Sequence, residues 1–307
     1  MKLIKPSFQI IEPTGYTIDD IYKSIELAGR CSHKSEDKIT ETSAKDFVGR
    51  MLNMKHLATC EFGTVYLNIP NGLISQALYG NLVDKYSENA YSISVPYVEK
   101  TGLVSIGRAA ITTNYRVLVE NNWLDDLQYL CEPTEYHHKR YTVKFILDRA
   151  IANEIVRHRK FSFLQESTRY CRYSSDKFNG ELTFIQPVWT YHQESGDYGD
   201  LGNLKNKNHG NKDGTFFEFI KALQYAEYYY FILLREGWKP EQARNVLPLC
   251  LKTELYMCGF AEDWKNFFKL RSKKYGGGKP HPQANELATP LYEEFIKRGY
   301  INDTQTN

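Results

Sequence analysis

RHRKFSFLQESTRYCRY, residues 157–173, places four arginines (Arg157, Arg159, Arg169 and Arg172) among one histidine, His158, and the hydroxyls of Ser162, Ser167 and Thr168. Guanidinium groups crowded at the end of an apolar helix are costly to bury unless something negative compensates them. Arginine suits bidentate capture of phosphate or of a planar carbonyl system, and Ser/Thr hydroxyls complete such sites. Charge pattern alone leaves three readings open. The segment is a solvated basic patch pairing with Asp148, Glu154 and Glu166, or an anion-binding site, or a nucleic-acid face with Tyr170 and Tyr173 as stacking platforms.

The flanks give the fold class. Upstream, residues 140–147 (RYTVKFIL) alternate as a strand with Tyr141, Val143, Phe145 and Leu147 on one face. Asp148 is placed to cap a short helix that runs to Arg157. Downstream, residues 181–186 read as a short strand stopped by Pro187. Further out, residues 17–30, 43–54, 216–235, 261–271 and 283–297 carry helical apolar spacing, the last with a kink or break expected at Pro290. Residues 61–69, 110–119 and 251–257 read as strands, and Pro240 suits the first turn of a helix carrying Arg244. Strands and helices mix without regular βαβ units, which favours an α+β fold with a mixed or antiparallel sheet and packed helices. No linker divides residues 1–307, so one elaborated domain is expected. Residues 193–215, polar and rich in Gly and Asn, are expected to be a surface insertion.

The 307-residue chain carries a net charge of only +2, so no global field draws it to DNA or to an anionic membrane, and any anion site must be local. Its 42% apolar content supports a real core, and its 23 Tyr and 16 Phe suit a core, subunit contacts or a planar cofactor equally. The stretch 225–232 (YAEYYYFI) is accordingly either an interface or ordinary core. None of the six cysteines forms a C-x-x-C pair, so zinc is not indicated and no metal is expected. Without an apolar leader or a membrane-length run, the chain reads as a soluble protein of a reducing cytosol.

Several motifs are missing. No G-x-G-x-x-G follows a strand. KKYGGGKP, residues 273–280, lacks the spacing of a phosphate loop and reads as a flexible turn. His137 and His138 are adjacent and diverge on any regular element. No cysteine follows a proline or precedes a histidine, so the Pro-Cys-His nucleophile of the cysteine-dependent thymidylate synthases is absent.

Arg157-His158-Arg159, with Ser167 eight residues after Arg159 and then Arg169-Tyr170, resembles the signature of flavin-dependent thymidylate synthases, R-H-R-x-x-S-x-N-E-x-S-x-R-Y. Two further segments agree in order and character. HLATCE from His56 resembles that family's histidine-containing flavin segment. Arg244-Asn245-Val246-Leu247-Pro248 and the later Asn266 to Arg271 stretch resemble its nucleotide-binding region, with His281 after it. There are departures. The family's Asn-Glu pair falls on Leu164 and Gln165, with a carboxylate one place later at Glu166. Its Asn-x-Arg pair reads Phe260-Ala261-Glu262, Ala58 stands where a hydroxyl is usual, and Glu154 where a glutamine is common.

The resemblance implies a homotetramer with shared active sites that converts dUMP to dTMP, using FAD, NADPH and methylenetetrahydrofolate. It implies that dUMP is held by Glu154, Arg157, Gln165 or Glu166, Ser167, Thr168, Arg169 and Arg244, with Arg271 facing the uracil as the catalytic cation. It implies that FAD is held by His56, Thr59, Arg157, His158, Arg159, Gln165, Asn266 and His281. The alternatives are a nucleic-acid-binding protein and an inactive flavin-binding relative.

Overall fold

Among the described residues, ten strands form three sheets. The structure, a computed structural model, describes residues 1–72, 82–101, 104–175, 178–191, 194–198 and 214–302. β2 (Ser7–Ile11), β6 (Arg140–Asp148), β10 (Lys252–Phe260) and β7 (Ser162–Gln165) form an antiparallel sheet in that order. β3 (Thr64–Pro70), β5 (Val104–Asn114) and β4 (Ile93–Thr101) form a second antiparallel sheet, with β5 central. In a third, β1 (Lys2–Ile4) lies parallel to β8 (Thr183–Ile185) and antiparallel to β9 (Gly196–Asp197). The α+β expectation, with a mixed sheet arrangement and packed helices, holds.

The first sheet is built as the alternation requires. Val143, Phe145 and Leu147 of β6 and Leu255 and Met257 of β10 are buried against the helices Arg149–Ile155, Ala261–Arg271 and Pro282–Lys297. Trp264, Phe267, Phe268 and Phe295 fill that layer at edge-to-face or tilted angles, each ring worth roughly 1.5–3 kcal/mol of burial. β10 is covered on both faces, however, where an alternating strand predicts one. Tyr256 and Cys258 pack on its other side against Ala28, Cys31 and Phe62. On the first side, in line with Leu255 and Met257, Gly259 makes room for Phe161: a Cβ would lie 2.4 Å from that ring.

Local signals acted where caps were strong. Thr17 and Asp20 form a capping box for the helix Ile18–Arg30. Asp148 Oδ1 accepts from the Ile151 amide at 2.8 Å and starts the helix Arg149–Ile155, which ends two residues before Arg157. Several boundaries differ from expectation. Residues 110–119 are a strand only to Asn114, whose side chain accepts from the Val117 amide and starts the helix Tyr115–Glu120. Residues 61 and 62 belong to the 3-10 turn Leu57–Phe62 ahead of β3. The helix Pro282–Lys297 runs unbroken through Pro290. The turn expected at 273–280 begins as a short helix, Lys273–Gly276, capped by Ser272. Most of the insertion expected at 193–215 lies outside the described residues, but Gly196–Asp197 pair with β1 as sheet. In the 225–232 stretch Tyr230 is core, while Tyr225, Tyr228 and Tyr229 are exposed.

Candidate active site

The loop from Arg157 to Phe161 crosses in front of one face of the helix Ala261–Arg271. Asp263, Asn266 and Leu270 follow the three- and four-residue helical spacing and so share that face. Together with Arg157, His158, Arg159, Lys160 and Arg271 they line a groove of about 450 Å³, within the range of small-molecule sites.

Arg271 is pinned at the groove wall. Its Nη1 donates to Glu154 Oε2 at 2.5 Å, its Nη2 to the Glu154 carbonyl at 3.1 Å, and its Nε to His158 Nε2 at 3.2 Å. Burial and the Arg271 cation push His158 down to about 4, so at neutral pH the imidazole is uncharged and accepts from the arginine. Phe267 packs edge-on against the same ring at 5.2 Å. A half-buried guanidinium with three fixed contacts presents its remaining N–H donors in one orientation.

The other arginines of the segment are exposed. Among the described residues none of Arg157, Arg159, Arg169 and Arg172 has a carboxylate within ion-pair distance. The pairing read from charge pattern is therefore overturned. Glu154 is taken by Arg271, while Asp148 holds the Ile151 amide and Gln283 Nε2, the latter at 2.8 Å. Glu166, 1% exposed, accepts from Lys252 Nζ and from the Tyr173 hydroxyl, both at 2.9 Å. Of the two residues considered for one nucleotide contact, Glu166 is thus buried and doubly engaged. Gln165 is half-buried and gives its Nε2 to Thr253 Oγ1 at 3.2 Å.

β7 carries the segment from this groove to a second cluster. Beyond it, the Ser167 amide donates to the Ser32 carbonyl, Arg244 Nη1 donates to Thr168 Oγ1 at 3.2 Å, and the Arg169 guanidinium lies over the Tyr170 ring. Tyr170 stacks on His33 with centroids 4.2 Å apart. Burial, and the neighbouring His56, lower the His33 pKa. His56 opens the turn that holds Thr59, whose Oγ1 donates to the His56 carbonyl at 2.8 Å. The sequence-derived residues therefore fall into two groups. Glu154, Arg157, His158, Arg159, Asn266 and Arg271 gather at the groove, whereas Ser167, Thr168, Arg169, Arg244, His56 and Thr59 gather past the far end of β7. His281 joins neither group: it is exposed, with its ring near Trp189.

Sequence reading missed the inner charges of the sheet. Glu254 accepts from Lys252 at 2.7 Å, Lys144 at 2.7 Å and Lys34 at 2.9 Å. Burial raises its carboxyl, but the lysines outweigh that and hold it at about 2. Cys31, Glu36 and Glu254 come within 4.8 Å of one another, yet Lys34 already pairs with both carboxylates, so the group is an ion-pair network. The signal was present: Lys144, Lys252 and Glu254 occupy the strand positions opposite the apolar face. Burial also raises the thiols of Cys31, Cys60, Cys131, Cys171 and Cys250, and all six cysteines are free. No described helix is long and apolar enough to cross a membrane.

Comparison with known proteins agrees with the motif. The chain is 27% identical over 225 residues to a probable flavin-dependent thymidylate synthase of Paramecium bursaria Chlorella virus 1, covering 69% of this chain and 94% of that protein. It is 30% identical over 157 residues to a flavin-dependent thymidylate synthase of Synechocystis, covering 51% and 66%. Among solved structures, the UMP/dUMP methylase PolB of Streptomyces cacaoi, crystallised with 5-Br dUMP, aligns over 97% of this chain and 93% of that one, at 15% identity and a TM-score of 0.43. Residues 109–298, more than half of the chain, match the family described as thymidylate synthase complementing protein. This chain belongs to the flavin-dependent thymidylate synthase family.

Proposed function

We propose that this protein makes dTMP by reductive methylation of dUMP, with FAD, NADPH and methylenetetrahydrofolate. The observation that carries the reading is the pinned Arg271 in a groove flanked by uncompensated arginines. The residues fit a flavin: Arg157 and Arg159 supply positive charge, neutral His158 and Asn266 supply polar contacts, and the groove has room for a planar ring. Reduced FAD, when bound, supplies the hydride, and the folate supplies the one-carbon unit.

The chain's part is to bind and polarise. Carbon 5 of uracil becomes nucleophilic as negative charge grows on the N3–O2 side of the ring. A cation fixed there stabilises that charge where it develops and needs no reorganisation. Arg271 has that property because Glu154 and His158 hold it. Ser167, Thr168, Arg169 and Arg244 hold the nucleotide, with the two arginines on its phosphate, and Gln165 is the neighbouring contact with access to it. Cysteines kept protonated by burial leave methyl transfer without an enzyme thiolate.

Because β7 separates the groove from the phosphate cluster, one copy of the chain offers the two halves apart. A homotetramer in which one subunit's groove meets another's Ser167–Arg169 cluster would join them. The exposed Tyr225, Tyr228 and Tyr229 are suited to that contact. The expected setting is the cytoplasm, with the whole chain as one domain.

The test is dTMP formation from dUMP with methylenetetrahydrofolate, NADPH and FAD. Product that requires all four supports the reading. A flavin-loaded protein that forms no dTMP would be a binding relative without methyl transfer. An oligonucleotide bound tightly and with steep salt dependence, in a protein that takes up no flavin, would replace the reading with a nucleic-acid one.

A further inference from the structure

A second cavity, about 430 Å³, adjoins the groove and shares Arg159, Lys160 and Asp263 with it. Its inner wall is Arg140, Ser162 and Phe260. β6 and β10 pair so that Arg140 stands directly opposite Phe260, and the guanidinium lies 5.7 Å over the Phe260 ring.

Arg140 is half-buried and has only neutral acceptors. Its Nη1 donates to the Glu61 carbonyl at 3.1 Å and to Thr64 Oγ1 at 3.2 Å, and its Nη2 to Ser162 Oγ at 3.4 Å. A guanidinium has five N–H donors, so two remain. The carboxylates at hand are engaged elsewhere: Glu61 by Arg116, Glu262 by Lys265, and Asp263 by Lys160 at 3.9 Å. Asp263 also feels the charge of Arg140, so one half-buried carboxylate answers Arg140 and Lys160 together, and with Arg159 the cavity keeps an excess of positive charge. Removing a cation from water without a counter-charge is unfavourable, and an anionic ligand offsets that cost. Ser162 accepts from Arg140, which leaves its own proton to donate to an oxygen in the cavity.

We propose that this cavity binds the phosphate-bearing part of a dinucleotide, with Arg140 as its main cation and Ser162 and Lys160 beside it. The proposal rests on the flavin reading above. A flavin ring in the groove would send its diphosphate past Arg159 into the adjoining cavity, where that excess of positive charge meets two negative charges. The site draws its main cation, Arg140, from outside the arginine segment and takes Arg159, Lys160 and Ser162 from within it. It supplies a cation at the wall where Phe260 and Glu262 stand in place of the family's Asn-x-Arg pair. The tyrosine-walled cavity on the other side of Arg140 is a poorer candidate for a diphosphate because it measures only about 160 Å³.

The test is equilibrium titration of flavin-free protein with FAD, riboflavin and ADP, followed by fluorescence and calorimetry. R140Q is expected to weaken FAD and ADP by roughly 10- to 100-fold, as for one hydrogen-bonded charge, and to leave riboflavin within about twofold. Because Arg140 also ties β3 to β6, its thermal transition is followed alongside. K160E, at a side chain 85% exposed, leaves the fold untouched and is expected to weaken FAD several-fold, about threefold to tenfold, an effect that fades at high salt. Wild-type protein that binds FAD while both variants bind it equally well would overturn the cavity assignment and leave the flavin reading. Wild-type protein that ignores every flavin but binds ADP through Arg140 would overturn the flavin reading and support the cavity as a diphosphate site.

Discussion

Two sets of charges sit on neighbouring elements, and the molecule treats them in opposite ways. On the inner face of the first sheet, Glu166 and Glu254 are buried, and Lys34, Lys144 and Lys252 close every carboxylate. Along the arginine segment, Arg157, Arg159 and Arg169 stand without a carboxylate partner among the described residues, and Arg140 behind them has only neutral acceptors. The first set is complete within the chain and serves the fold. The second lacks its counter-charge, which ligands carrying phosphate would bring. Arg271 stands between the two sets: it serves the site, yet Glu154 pairs with it.

That contrast can be broken at either set. The largest effect is expected on stability at Lys252. Lys252→Met leaves Glu166 and Glu254 buried with one fewer cation each, and loss of one partner from a buried pair costs about 3–5 kcal/mol. Urea denaturation measures it, and a loss below about 1 kcal/mol would mean that the network is not buried in solution. Next, Arg271→Ala is expected to lower turnover by roughly 10²–10³ while keeping the fold and the flavin, as removal of a fixed oxyanion donor does. Turnover within a few-fold of wild type would remove Arg271 from the chemistry.

A smaller effect concerns pH. His158 is held at about 4, below the ordinary histidine value of 6.5. Between those values the unfolded chain binds a proton that the folded chain refuses, so the stability this contributes is present above pH 6.5 and is lost as pH falls through about 4. An NMR titration of the imidazole should show a midpoint near 4, and a midpoint of 6 to 7 would separate His158 from Arg271. Glu254 has the opposite cause with the same sense: its stabilisation is full above the ordinary carboxylate range and drains as pH falls toward about 2. The smallest change is expected at Arg159→Ala, which should leave stability within about 0.5 kcal/mol because the exposed side chain has no protein ion pair, yet should weaken flavin binding. Appreciable destabilisation would show that the arginine segment belongs with the compensated set.

Sequence reading caught what short-range rules decide. Asp148 caps the helix it was expected to cap, and Tyr141, Val143, Phe145 and Leu147 line one face of β6. It extended one strand past Asn114, although that residue is a strong cap, because Val117 and Val119 are β-branched and favour a strand. The arginine segment was legible from its spacing and Arg271 only through the family resemblance, and their convergence on one groove follows from the sheet order β6-β10-β7, which no local rule supplies. The burial of Arg140 and Lys252 was not legible. Their strand positions read as solvent-facing until the helix Ile18–Arg30 and the turn Leu57–Phe62 cover that face. The pairing of Glu154 with Arg271 spans 117 residues, and a contact of that separation leaves no trace in periodicity.

The most direct measurement is an absorbance spectrum of the purified protein, repeated anaerobically after NADPH and dUMP are added. Oxidised-flavin bands that bleach are expected, in Arg271→Ala as in wild type, since that variant keeps the flavin. A colourless protein that takes up no added FAD would contradict the account, leaving the uncompensated arginines without the ligand they are argued to await.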